Sequence, residues 1–248
     1  MTEQIDLNAD MGEGIGDDGA LLEIVSSASI ACGGHAGDAA TMHAVLSQCR
    51  DLGISAGAHP GYADRENFGR KRLDVARPKL LEQVKVQLEA ILEIAKSFGY
   101  GLRYVKLHGA LANVAAEDDD LAFDLFSMVR DIDPALAILA LDQSAQVRAA
   151  ERLGLDVTLE AYADRAYTRE GLLVPRSVSG AVIHDEAVVV ERCLRLAETG
   201  EIVAIDGTIV RSRARSICLH GDTPGAVRLA RRVRAALEAR GIAIRGSK

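Results

Sequence analysis

The sequence predicts an α/β barrel, and three observations carry that reading. Short β-prone runs alternate with longer helical patterns along most of the chain, the order expected of βα units around a mainly parallel sheet. The length of 248 residues lies within the range of one such barrel, and a chain of this size buries about three quarters of its unfolded surface. No internal repeat, low-complexity tract or Pro/Ser-rich linker marks a boundary, so residues 1–248 read as one domain.

Seven runs read as barrel strands: Gln4–Asn8, Ser29–Cys32, Ile54–Ala58, Arg103–Leu107, Ala137–Leu141, Asp156–Glu160 and Ser216–His220. Along the first, strict alternation puts Asp6, Asn8 and Asp10 on one side and Ile5, Leu7 and Ala9 on the other. Pro78 opens a helix in which Leu81, Val84, Leu88, Ile91, Leu92 and Ala95 recur at helical spacing, with Gly99 just past its end. The last helix is predicted to start at Thr223 as N-cap with Pro224 at N1. Ala226, Leu229, Ala230, Val233 and Leu237 form its apolar stripe up to Gly241. One segment breaks the alternation: "EIVAIDGTIVRS" places two β-rich runs around Asp206-Gly207, a hairpin inserted at 201–212 before the last barrel strand.

Composition narrows the function classes. Apolar residues make up 48% and charged residues 26%, with five tyrosines, four phenylalanines and no tryptophan, so the core is aliphatic and globular. A formal charge of −7 argues against nonspecific nucleic-acid binding, which needs a basic surface. No apolar run approaches the roughly 18 residues of a membrane span, and "MTEQIDLNAD" lacks the basic and apolar regions of a signal peptide. Cys32, Cys49, Cys193 and Cys218 show no C-x-x-C spacing and read as reduced thiols. A cytoplasmic protein without nucleic-acid or membrane partners is expected.

The chemistry-bearing residues fall at strand ends. Asn8, Asp10 and Glu13 follow the first strand, His35 and Asp38 the second, and His59 the third. Lys106 and His108 close the fourth, Asp142 follows the fifth, Glu160 ends the sixth and His220 the seventh. In a barrel these ends meet at one rim, where such folds place their chemistry. His43 and His184 lack that placement and read as structural. An EF-hand reading of "DLNADMGEG" fails, because Met11 and Asp17 stand where glycine and glutamate are needed.

Several stretches suit anions or metals. In "IACGGHAGD" three glycines surround His35, which leaves a tight turn, a phosphate cradle around Gly33 and Gly34, and a metal site all open. "LHGDTPGAV" places Gly221 and Thr223 at a helix start whose amides favour negative charge. Arg165 and Arg70 are candidate clamps for phosphate or carboxylate. No stretch matches the Walker pattern.

"DLNADMGE", "ACGGHAGD", "GAHPGY", "VKLHGAL", "ADRAY" and "CLHGDTPGAV" resemble, in order and spacing, the motifs of the LamB/YcsF family, which is identified with the A subunit of the bacterial ATP-dependent 5-oxoprolinase. The resemblance runs from residue 5 to about residue 230. It implies an irregular seven-stranded, TIM-like β/α barrel related to glycoside hydrolase and deacetylase barrels, and work alongside subunits B and C. Gly34, Leu107 and Ala112 depart from the phenylalanine, proline and tyrosine common in the family, which bears on pocket shape.

The implied reaction opens a five-membered lactam, 5-oxo-L-proline, to L-glutamate at the expense of ATP. Asp10, His35, His59, Lys106, His108, Glu160 and His220 are the catalytic candidates. Glu13, Gly33, Gly34, Arg165, Gly221 and Thr223 are the candidates for binding ATP, with Asp10 and Glu13 as possible Mg²⁺ ligands. The alternatives are a metal-dependent amidohydrolase or deacetylase that uses no ATP, and a non-catalytic subunit that binds substrate or nucleotide.

Overall fold

The computed structural model describes residues 3–221 and 225–246. Seven parallel strands close on themselves in the order β1 (Gln4–Met11), β2 (Ser27–Ala31), β3 (Ser55–His59), β4 (Tyr104–Val105), β5 (Ala137–Leu141), β6 (Val157–Tyr162) and β9 (Ser216–Leu219), with β9 pairing back to β1. The expected barrel is present. Its first strand runs three residues further than predicted, to Met11, and its second starts at Ser27. The fourth keeps only two paired residues, so Lys106 and His108 stand on the chain that leaves it. Between β6 and β9 the hairpin of β7 (Glu201–Val203) and β8 (Ile209–Arg211) forms a separate two-stranded sheet. Its turn is closed by Asp206, whose carboxylate accepts from Thr208 N at 3.0 Å. A short β10 (Ala243–Ile244), not anticipated from the sequence, pairs with the start of β1.

The helices cover the outside. α2 (Ala39–Leu52) is capped by the Asp38 carboxylate, which accepts from Thr41 N at 2.8 Å, as an Asp N-cap should. α3 (Arg77–Ser97) carries Pro78 in its first turn and buries Leu80, Val84, Leu88, Ile91 and Ala95, with Leu81 and Leu92 at the edge of the stripe. Around the rest of the barrel run α1 (Asp18–Leu22), α4 (Gly109–Glu117), α5 (Asp119–Ile132), α6 (Ala145–Leu153), α7 (Glu186–Thr199) and α8 (Ala226–Ala239). The described part of α8 has Gly225 at its N-cap. Thr223 and Pro224, expected to start that helix, lie outside the described residues. Among the described residues no helix is long and apolar enough to cross a membrane.

Period-two alternation splits the strands cleanly. Leu7, Ala9, Ala28, Ile30, Ala56, Ala58, Val105, Ile138, Ala140, Ala161 and Ile217 pack outward in the main hydrophobic core under the helices. The lumen is polar instead. Asp6 accepts from Ser26, Ser27 and Ser216, and Asn8 donates to Glu160 at 2.9 Å and Ser216 at 2.8 Å. Tyr104, Ala137 and Leu139 form an apolar plug there.

Tyr104 explains Gly57. A Cβ at Gly57 would sit 2.3 Å from the Tyr104 ring, so glycine on β3 lets the ring lie flat across the lumen. Gly57→Ala is therefore expected to cost about 1–3 kcal/mol through overpacking, read as a lower urea midpoint with an unchanged slope.

Candidate active site

The C-terminal ends of β1, β3, β4, β6 and β9 surround one buried cation. Lys106 is 2% exposed, and its Nζ lies 2.9 Å from Asp10 Oδ1, 2.9 Å from Glu160 Oε1, 3.1 Å from Asn8 Oδ1 and 3.1 Å from Cys218 Sγ. Burial by itself favours the neutral amine. Asp10, Cys218 and Glu160 outweigh it and hold the ammonium well above the ordinary lysine range. Lys106 is thus a permanent charge, not a nucleophile or base. Burial likewise opposes ionisation of Asp10, but His59 and Lys106 keep its carboxyl well below the usual range. Glu160 lies within β6 rather than at its end, and it belongs to this lumen network.

Above the lysine stand three histidines: His59 ends β3, His35 lies in the loop after β2, and His108 is the N-cap of α4. His59 Nδ1 donates to Lys106 O at 2.8 Å, and His108 Nε2 donates to Phe68 O at 3.0 Å. His59 Nε2 and His108 Nδ1 approach each other to 2.9 Å. His35 lies flat on His108, ring centroids 3.5 Å apart, and its Nε2 meets Glu13 Oε1 at 2.9 Å. The buried His35 Nδ1 has no hydrogen-bond partner among the described residues. Burial drives the pKa of His35 far below the imidazole range and that of His108 down to about 3, so both rings are neutral at pH 7.

Across the rim a second pair forms. His220 Nδ1 donates to Asp164 Oδ1 at 2.7 Å, while its Nε2 accepts from Arg176 at 3.4 Å. In that tautomer the Nε2 lone pair is turned to Arg176 at the cleft. Burial resists ionisation of Asp164, but His220 and Arg176 hold the carboxyl below its usual range. His220 also stacks on Tyr162, with centroids 5.6 Å apart.

Both groups open into one cleft of about 620 Å³, lined by Asp10, His59, His108, His220 and the guanidinium-bearing Arg70, Arg72, Arg165 and Arg176. Arg165 donates to Ala181 O at 3.2 Å and Val174 O at 2.6 Å and so ties down the 174–181 loop.

Two glycines of "IACGGHAGD", Gly34 and Gly37, face protein, whereas a Cβ at Gly33 would meet nothing within 4 Å. Gly33 N donates to Ala36 O at 2.8 Å, closing a turn. A Cβ at Gly34 would fall 2.3 Å from Gln87 Oε1, and one at Gly37 would fall 2.7 Å from Ala31 O. Gln87 reaches in from α3, accepting from Gly61 N at 3.1 Å and donating to Gly61 O at 2.9 Å. At position 34 the bare backbone therefore makes room for Gln87 and does not widen the cleft. Gly221 packs beside Asp10 O and Gly16, at the mouth of the loop that carries Glu13.

The model of the LamB/YcsF family matches residues 5–248. The chain belongs to the LamB/YcsF family. It is 48% identical over 246 residues to the A subunit of a 5-oxoprolinase from Paracidovorax citrulli, covering 97% of this chain and 98% of that one. It superposes on the crystal structure of a lactam utilization protein from Thermus thermophilus with a TM-score of 0.91 and 36% identity, covering 98% and 100% of the two chains. Dispersin B, at 10% identity, a TM-score of 0.53 and coverage of 96% and 98%, shares the barrel fold alone.

For this LamB/YcsF chain, reading strand ends located Asp10, His35, His59, Lys106, His108 and His220 around one rim. It assigned no role to Asp164, Arg176, Arg72 or Gln87. Asp164 lies inside the quoted "ADRAY" and four residues past Glu160, so the motif itself was a signal. Arg176 and Gln87 had none, since a loop arginine and a helical glutamine look like solvated surface. Asp142, by contrast, is bound by Ser212 and Arg213 N and serves structure.

Two outcomes follow from the buried charges. Lys106→Met strands Asp10 and Glu160 without their cation and is expected to cost about 3–5 kcal/mol, measured by urea unfolding. Because the folded Asp164 carboxyl titrates below its unfolded value, its contribution is complete above about pH 4 and fades as pH falls through the folded pKa. Asp164→Asn should flatten that part of the acid limb in urea titrations.

Proposed function

We propose that the chain is the A subunit of an ATP-dependent 5-oxoprolinase, cleaving the lactam C–N bond of 5-oxo-L-proline to give L-glutamate while ATP becomes ADP and phosphate. The observation that carries this is the cleft, where an oriented Asp164–His220 pair faces guanidinium groups in a chain of net charge −7. Its size is that of small-molecule sites. Both substrates are anionic, one through its carboxylate and the other through its phosphates, so Arg70, Arg72 and Arg176 supply the locally basic wall that an acidic protein needs. The relatives named for 5-oxoprolinase and lactam utilization support the same substrate.

A lactam carbonyl is a poor electrophile, and phosphoryl transfer from ATP to its oxygen makes the ring carbon open to water. In this reading Arg176 turns from His220 Nε2 to the anionic substrate, and the freed Nε2 takes a proton from that water and returns one to the ring nitrogen as the C–N bond breaks. Asp164 fixes the required tautomer and stabilises the charged ring. A second water then releases phosphate from the γ-carboxyl group. Lys106 holds Asp10 and the strand ends in place without exchanging protons. The guanidinium groups draw off the negative charge that spreads over the transferred phosphoryl group.

Mg²⁺ prefers hard oxygen ligands in a near-octahedral array. Asp10 is held by Lys106 and Glu13 by His35, and the donors around them are imidazole nitrogens. That pocket does not fit Mg²⁺, and a magnesium ion is better placed on the nucleotide's own phosphates. Subunits B and C are the proposed partners, and the cytoplasm, which supplies ATP and keeps the four buried cysteines reduced, the proposed compartment.

The test is turnover of 5-oxoproline by the chain reconstituted with subunits B and C. His220→Gln is expected to lower ATP-dependent kcat by roughly 10²–10⁴-fold with the fold intact. Wild-type turnover in that variant would remove His220 from the chemistry, and no glutamate formation by the wild-type assembly would overturn the reading.

A further inference from the structure

The contacts along His59 and His108 require more positive charge than two neutral imidazoles carry. Three contacts lie in series: Lys106 O to His59 Nδ1, His59 Nε2 to His108 Nδ1, and His108 Nε2 to Phe68 O, at 2.8, 2.9 and 3.0 Å. Carbonyl oxygens only accept, so each neutral ring spends its single N–H outward. Two lone pairs then face each other across the middle gap. Exchanging a tautomer merely moves the conflict to a carbonyl. Either one proton on a ring or a metal ion between the two nitrogens resolves it.

Oxygen donors flank the gap. Glu13 Oε1 lies 3.5 Å from His108 Nδ1, and Asp10 Oδ2 lies 3.4 Å from His59 Nε2. Glu13, His59 and His108 offer ligand atoms within 4.8 Å of one another. In a tetrahedral zinc site with bonds of 2.0–2.1 Å the ligand-to-ligand edge is about 3.3 Å, and these spacings bracket it. Ligating histidines typically donate their distal N–H to a carbonyl or carboxylate, and both rings do so. His35 is not a ligand. Its ring lies parallel to His108 at 3.5 Å, and an imidazole lone pair points along its own plane, so an ion in the plane of His108 lies outside that of His35. It holds Glu13 instead.

We infer that His59 Nε2, His108 Nδ1 and Glu13 Oε1 bind a divalent transition-metal ion of the zinc class, leaving a coordination position open toward the cleft. Two imidazoles, a carboxylate and an open position form a catalytic type of donor set, and its nitrogen content selects against Mg²⁺. The site stands on its donors alone. That the lactam carbonyl oxygen takes the open position, to be polarised there, rests on the 5-oxoprolinase reading.

The metal alone is the probe. The intact chain, stripped with a chelator and freed of nucleotide and 5-oxoproline, is titrated with Zn²⁺ and with Co²⁺. Stoichiometric uptake is expected, with the visible absorption of tetrahedral Co²⁺. Glu13→Gln, in the loop after β1, should weaken Zn²⁺ binding at least tenfold. His35→Leu, which keeps all three ligands but removes the His35 contact to Glu13, should weaken it by about 10–100-fold, with circular dichroism confirming the fold of each. A folded wild-type chain that takes up neither ion overturns the inference, as does equal binding by Glu13→Gln. So does a proton shared between the two rings that added Zn²⁺ fails to displace. Because no turnover is read, failure here leaves the lactam-cleaving role intact, and loss of that role leaves the metal titration standing.

Discussion

The interior of this barrel depends on a single ammonium group. Lys106 sits where the lumens of many barrels hold aliphatic layers, and it is surrounded by two carboxylates, an amide and a thiol contributed by β1, β6 and β9. Such a group is costly to bury and more costly to leave unpaired. Its partners are therefore fixed in direction as well as identity, and they are spread over three strands. The result is a set of strand ends held in register by charge, on top of the ladder hydrogen bonds that close the barrel.

That rigidity passes upward into the rim. His59 hangs from the carbonyl of Lys106, His108 from the carbonyl of Phe68, and His35 is clamped between Glu13 and the face of His108. None of these rings is free to choose its tautomer, because backbone oxygens and a carboxylate have chosen for it. On the opposite side the Asp164–His220 pair is oriented by the same kind of contact but is less enclosed. One wall is thus rigid and rich in nitrogen donors; the other carries an imidazole whose lone pair is held by Arg176 at the cleft.

The fold was legible because period-two patterning and strand–helix alternation are local signals. The lumen-facing set Asp6, Asn8 and Asp10 followed from alternation alone. Rim residues were legible to the extent that topology brings strand ends together, which is why His35, His59, His108 and His220 could be grouped without coordinates. What stayed hidden depends on contacts between distant segments. Nothing local shows that Lys106 points down into a carboxylate cage, that Arg165 is spent on the carbonyls of Val174 and Ala181, or that Gln87 crosses from α3 to the loop after β3. The two-residue β4 escaped for the same reason, since the segment leaves the sheet to deliver Lys106 and His108.

Gly34 and Gln87 occupy what is in effect one shared volume. The amide of Gln87 fills the space that a side chain at position 34 would need, and in filling it grips the backbone of Gly61. A larger residue in the loop would thus demand a smaller one on the helix, and would have to replace that grip by packing. Across relatives, these two positions are expected to vary as a pair, so a helix residue outside every motif helps to determine which shapes the His35 loop can take.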